Sequence, residues 1–121
     1  MIFFKPGQVE FTPGATPVLD LTVRAIAAVP EAAIVIAGHS DSADPAGDNR
    51  HLSCARALAV RDYLLAGGVP AQRLPVTVGY GADQPLEQAK DGLPLDVNRR
   101  VEVHFIPTET VAAQFATATR C

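Results

Sequence analysis

Short apolar runs alternate along this chain with longer stretches in which apolar residues return every three or four positions. Ile2-Phe3-Phe4 is a short apolar run stopped by Lys5-Pro6-Gly7, which predicts a first strand. After a connector over residues 8–11, Thr12-Pro13 offers a capping hydroxyl and a proline at the first helical position. Leu19, Val23, Ile26 and Ala27 then follow at helical spacing as far as Pro30. Ala33-Ile34-Val35-Ile36-Ala37-Gly38 is apolar throughout, as in a strand covered on both faces. Residues 42–49 read as a loop, with Asp48 or Asn49 as the cap of a second helix over 50–66. Leu52, Ala55, Ala59, Tyr63 and Leu64 give that helix its apolar face, and Gly67-Gly68 ends it.

A turn over residues 70–74 leads into a third strand, Val76-Thr77-Val78-Gly79-Tyr80. Residues 81–96 form a long polar loop, and Val101 to Ile106 alternate with period two before Pro107 stops the strand. The order β-α-β-α-β-β predicts an α/β fold of the α+β sandwich type, with two main helices on a small mixed four-stranded sheet. Residues 1–106 form the domain, and residues 107–121 form a weakly helical C-terminal tail.

Composition narrows the function classes. At 121 residues and 48% apolar content, one domain can bury a real core without metal or disulfide support. The net charge of −3 is scattered, with no basic run, which argues against nucleic acid as a partner. No apolar run approaches membrane-spanning length, so membrane association is expected only through a fused segment outside this chain. The N-terminus lacks the basic region, long apolar stretch and cleavage site of a secretion signal. The expectation is either a cytoplasmic chain or a mature or excised domain. Cys54 and Cys121 make no framework and no metal pair. Cys54 reads as a small buried helix residue; a bridge to Cys121 is possible and has no support in the sequence.

The most informative chemistry lies between the second strand and the second helix. Ala37-Gly38-His39-Ser40-Asp41-Ser42 ends the strand in a carboxylate, and Leu52-Ser53-Cys54-Ala55-Arg56-Ala57 puts an arginine in the early turns of the helix. A carboxylate accepts hydrogen bonds from an ammonium group, and a guanidinium fork suits a carboxylate. Together they suit a ligand with an amine and an acid on one carbon. Spacing leaves this alternative open against an Asp41–Arg56 salt bridge that merely orders the loop. His39, Asp41, Asp44, Asp48 and His51 fit neither a calcium loop nor a zinc motif, so they read as solvated loop acids and caps, with no cofactor implied. His39 near Ser40 and Ser53 lacks a nucleophile elbow and an orienting third group, so an enzyme is not expected. Asn98-Arg99-Arg100 opens the last strand and reads either as solvated edge arginines or as a brace for the ligand site or Asp41.

These pieces resemble the OmpA-like C-terminal domain family, which includes porin tails, peptidoglycan-associated lipoproteins and flagellar stator proteins. The matching residues are Phe11-Thr12-Pro13-Gly14, Gly38-His39-Ser40-Asp41-Ser42, Leu52-Ser53 with Arg56-Ala57, Tyr63-Leu64, Arg73-Leu74, Gly79-Tyr80-Gly81 with Pro85, and Asn98-Arg99-Arg100-Val101-Glu102-Val103. The resemblance implies non-covalent binding of peptidoglycan through the meso-diaminopimelate residue of its stem peptide. It further implies a periplasmic location that anchors an outer membrane or envelope complex to the wall. By position it assigns Asp41 and Arg56 to the amine and carboxylate of that residue, with Asn49, Leu52 and Arg100 in supporting roles. Ser40 stands where the family usually has Thr, and the hydroxyl is kept. The alternative is a protein-interaction module or homodimerisation domain with a degenerate pocket.

Overall fold

A computed structural model describes residues 1–41, 49–82, 98–107 and 120–121. Its elements are β1 (Ile2–Phe3), α1 (Ala15–Ala28), β2 (Ala32–Gly38), α2 (Asn49–Ala66), a short 3₁₀ turn (Ala71–Arg73), β3 (Val76–Gly79) and β4 (Arg100–Pro107). The sheet order is β1-β4-β2-β3. β4 runs antiparallel to both neighbours, and β2 and β3 are parallel, joined through α2. This is the mixed four-stranded sheet with two helices that the apolar pattern predicts. β1 and β2 consequently point the same way, with β4 inserted between them.

β2 is buried on both faces, as its unbroken apolar run requires. Ile34 and Ile36 pack with Leu19 and Ile26 of α1 and Val60 and Leu64 of α2. Ala33, Val35 and Ala37 face the other way, against Val76 and Val78 of β3. The C-terminal end of α1 is capped from the 3₁₀ turn. Arg73 donates to the carbonyls of Ile26 (3.1 Å), Val29 (2.6 Å) and Ala32 (3.1 and 3.0 Å), taking up acceptors that the helix end leaves open.

Three local expectations need correction. α1 begins at Ala15 with Gly14 as its cap, not at Thr12-Pro13, because the Ala15 N–H donates to the Thr12 carbonyl (3.0 Å) in a preliminary turn. The buried face of α2 comprises Leu52, Ser53, Arg56, Ala57, Val60 and Leu64. Ala55, Ala59 and Tyr63 are only half-buried, since the stripe follows the four-residue rise 52-56-60-64 and takes a charged and a hydroxyl residue with it. Cys54 and Cys121 form a disulfide with Cα atoms 5.4 Å apart. The two cysteines are 67 positions apart in sequence, and on a chain-entropy account closing such a loop contributes about 4 kcal/mol. The helical reading of the tail and the ordering of the loop over 83–96 fall mostly outside the described residues, as do Asp44 and Asp48.

Candidate functional site

The site starts from two glycines. Gly38 and Gly79 are cross-strand partners at the ends of β2 and β3. A Cβ on Gly38 would lie 2.0 Å from the Ser53 carbonyl oxygen, and one on Gly79 would lie 2.6 Å from Cys54 Sγ and 2.7 Å from Ser53 Oγ. Their missing side chains let α2 press its first turns onto the strand ends. Ser53 then ties the helix to the loop after β3. Its Oγ donates to the Arg50 carbonyl (2.8 Å) and accepts the Gly81 N–H (2.9 Å). Gly81 itself has φ +60°, a left-handed conformation that suits glycine.

This contact carries Arg56 to the open end of β2. The Arg56 side chain is fully buried, at 0% exposure. Its Nε donates to the Gln8 carbonyl (2.9 Å), Nη1 to that of His39 (3.2 Å) and Nη2 to that of Lys5 (3.1 Å), while Cζ stands 5.3 Å from the Phe4 ring centroid. The guanidinium is thus a charge fixed in direction by three backbone carbonyls and an aromatic face. One of those carbonyls lies two residues before Asp41, so both charges occupy the same strand end.

Asp41 is held from the opposite side. The His39 N–H donates to the Arg100 carbonyl (2.8 Å) and the Ser40 N–H to the Gly81 carbonyl (2.8 Å), which pins the backbone leading to it. The Asp41 carboxylate is 1% exposed and pairs with Arg99 Nη1 at 3.3 Å. Arg99 is anchored in turn by its Nε, which donates to the Phe4 carbonyl (2.8 Å). Asn49 begins α2, and its backbone carbonyl accepts the Ser40 hydroxyl (3.3 Å). Among the described residues, Asn49 Oδ1 is buried with no hydrogen-bond partner. Leu52 is buried one turn later on the same helix.

The sequence brought forward Arg100 where the geometry adds Arg99. Arg100 bonds through Nε to Glu102, and His104 Nε2 lies 3.0 Å from the other Glu102 oxygen. Arg99 is the side chain paired with Asp41; the only signal for it was the Asn98-Arg99-Arg100 run read as a brace. Ser53 and Glu102 were named only as motif residues, with no role in the site. For chemistry, Ser53 was weighed only as a hydrolase serine beside His39, and Glu102 stands between Arg100 and His104, each two residues away along β4, a spacing read only as strand alternation.

His39 closes β2 and stacks on Tyr80, with ring centroids 5.3 Å apart and planes at 20°. Its imidazole faces Glu102, Arg100 and His104, with Nε2 3.8 Å from Glu102 Oε2. Desolvation first, and then the Arg100 charge, lower its pKa from 6.5 to about 4, although Glu102 opposes the shift. Burial pushes Glu102 upward, but the hydrogen bond and charge of Arg100, with the two histidines, leave its carboxyl below the usual range. Because His39 has a lower pKa folded than unfolded, the unfolded chain takes up the proton first. Its contribution is therefore complete above about pH 6.5 and lost as pH falls toward 4. Urea midpoints of the wild type are expected to fall between pH 7 and 4.5, equivalent to about 2–3 kcal/mol from this group. The fall should be smaller in His39→Gln, and an equal fall in both proteins would remove His39 from the explanation.

A family model described as the OmpA family matches residues 3–98. The chain belongs to the OmpA family. This OmpA-family domain is 34% identical over 99 residues to the peptidoglycan-associated lipoprotein of Rhizobium meliloti (strain 1021), covering 82% of this chain and 56% of that protein. It is also 34% identical over 102 residues to the peptidoglycan-binding protein ArfA of Mycobacterium bovis, covering 84% of this chain and 31% of ArfA. The domain therefore spans about half, or less, of the length of these relatives. Its fold matches the crystal structure of the peptidoglycan-associated lipoprotein from Burkholderia pseudomallei with a TM-score of 0.76 at 23% identity, over 86% of this chain and 87% of that one. Among the described residues, no helix is long and apolar enough to cross a membrane.

Proposed function

We propose that this OmpA-family domain binds peptidoglycan non-covalently in the periplasm, anchoring an envelope component to the wall, and that its ligand is the meso-diaminopimelate residue of the stem peptide. The single observation that carries the proposal is the convergence of Asp41 and Arg56 at one strand end, each held by its own set of fixed partners. Asp41 receives the ammonium group, and Arg56 directs positive charge toward the carboxylate on the same carbon. Asn49 adds a buried acceptor, its Oδ1, that suits an ammonium N–H. Arg99 holds the Asp41 carboxylate in place, while Leu52 and Arg100 shape the surroundings. The names of the relatives, a peptidoglycan-associated lipoprotein and a peptidoglycan-binding protein, support the ligand class. The Cys54–Cys121 disulfide supports an oxidising compartment such as the periplasm.

The work of such a site is equilibrium recognition. A few charge-assisted hydrogen bonds to a small ligand give modest affinity per site, and attachment to a membrane raises it through effective concentration. Asp41→Asn keeps the shape of the side chain and removes its charge. It is expected to lower the fraction of protein pulled down by diaminopimelate-type sacculi at least about tenfold, with circular dichroism unchanged. Undiminished pull-down by a folded Asp41→Asn protein would contradict the assignment.

A further inference from the structure

A pocket of about 280 Å³ opens where α2 passes the outer edge of β3, away from Asp41. Leu58 and Leu74 give it apolar walls, and Arg61 of α2 and Arg120 bring two guanidinium groups to it. Arg120 is fixed there by three links. It forms an antiparallel bridge with Val78, the following Cys121 N–H donates to the Thr77 carbonyl (2.8 Å), and Cys121 is bonded to Cys54. Among the described residues, neither Arg61 nor Arg120 has an ion pair. Thr77 also lines the pocket, with its Oγ1 buried beneath the surface. Two guanidiniums without a carboxylate partner at one pocket make a local concentration of positive charge on a chain of net charge −3. One oxyanion answers both guanidiniums: its oxygens accept from the two forks.

From these contacts we infer that the pocket is a second ligand site, for a phosphate group, and that the Cys54–Cys121 disulfide assembles it by holding Arg120 opposite Arg61. The space accommodates a phosphate with part of its ester substituent, not a polymer strand. Two sources present that chemistry, a soluble phosphate and the headgroup of an anionic phospholipid. The site is independent of the proposed diaminopimelate pocket, which uses none of these residues.

The test titrates inorganic phosphate into the oxidised chain while following amide signals by NMR. In parallel, the protein is sedimented with vesicles of phosphatidylcholine alone or mixed with phosphatidylglycerol. Expected are saturable shifts at Arg61, Thr77 and Arg120, a binding constant weakened at least about tenfold in the Arg61→Gln, Arg120→Gln double variant, and a similar loss on reduction with a phosphine. Asp41→Asn should leave all of this unchanged. Sedimentation only with phosphatidylglycerol vesicles, abolished in the double variant, assigns the headgroup; phosphate saturation without vesicle binding assigns the soluble ion. Arg61 is half-buried and Arg120 exposed, so the double variant should keep its urea midpoint; if it does not, Arg120→Gln alone provides the comparison. Absence of saturation by both probes, or undiminished binding by the arginine variant, would overturn the inference. Undiminished binding after reduction would overturn the part assigned to the disulfide.

Discussion

Arg56→Ala is expected to lower stability by about 3–5 kcal/mol as well as abolishing binding to sacculi. Truncation strips the donors from the carbonyls of Lys5, Gln8 and His39 and leaves a void against Phe4. Each buried acceptor left unpaired costs about 1–3 kcal/mol, and solvent entering at the chain segment before α1 will relieve part of that. In a domain of this size the melting temperature should fall by more than about 10 °C. The sequence alone suggests a different outcome, a ligand arginine removable without structural consequence, because spacing says nothing of what a guanidinium does on its inner side. Arg56→Lys separates the roles. It keeps the charge, but one ammonium group cannot serve three diverging carbonyls, so its stability should fall between the wild type and Arg56→Ala. A melting temperature within about 2 °C of wild type for Arg56→Ala would show that the three carbonyl bonds contribute little.

Gly38→Ala is expected to be comparably damaging for a purely steric reason. The new methyl group would stand 2.0 Å from the Ser53 carbonyl oxygen and 2.9 Å from the Ser53 carbonyl carbon, both backbone atoms of α2. No rotamer change relieves such a contact; the helix has to move. Overpacking against backbone costs about 3 kcal/mol or more. Moving α2 also pulls Ser53 from Gly81 and Arg56 from the His39 carbonyl, so ligand binding should be lost even where the fold survives. A Gly38→Ala protein with wild-type urea midpoint and wild-type binding would show that the close approach of helix and strand is dispensable.

How much of this was legible in the residues depends on the kind of interaction. The strand order along the chain, the two helices and the apolar character of β2 follow from periodicity, which depends only on local sequence. The choice of Asp41 and Arg56 followed from charge chemistry at a strand end and an early helix turn. What the residues left open were the features fixed by a partner distant in sequence. Arg56 bonds to Lys5 and Gln8, about fifty positions away, and Asp41 pairs with Arg99, fifty-eight positions away. Cys54 meets Cys121 across sixty-seven residues. The α2 face was misjudged for a related reason: counting apolar residues excludes Ser53 and Arg56, whereas the helix buries them because Arg56 meets the carbonyls of Lys5, Gln8 and His39 and Ser53 bonds the Arg50 carbonyl and the Gly81 N–H. Arg99 lies just before β4 and Arg100 is its first residue, and their adjacency in sequence does not decide which one reaches Asp41.

In the proposed site Asp41 and Arg56 read an amine and a carboxylate on one carbon. This reading is tested most directly by calorimetry with two stem peptides that differ at one residue. One contains meso-diaminopimelate; the other contains lysine, which keeps the amine and lacks the neighbouring carboxylate. Saturable heat is expected with the diaminopimelate peptide and binding at least about 30-fold weaker with the lysine peptide, the value of one charge-assisted carboxylate contact of about 2 kcal/mol. Equal affinity for the two peptides, or no heat from either at millimolar concentration, would contradict it.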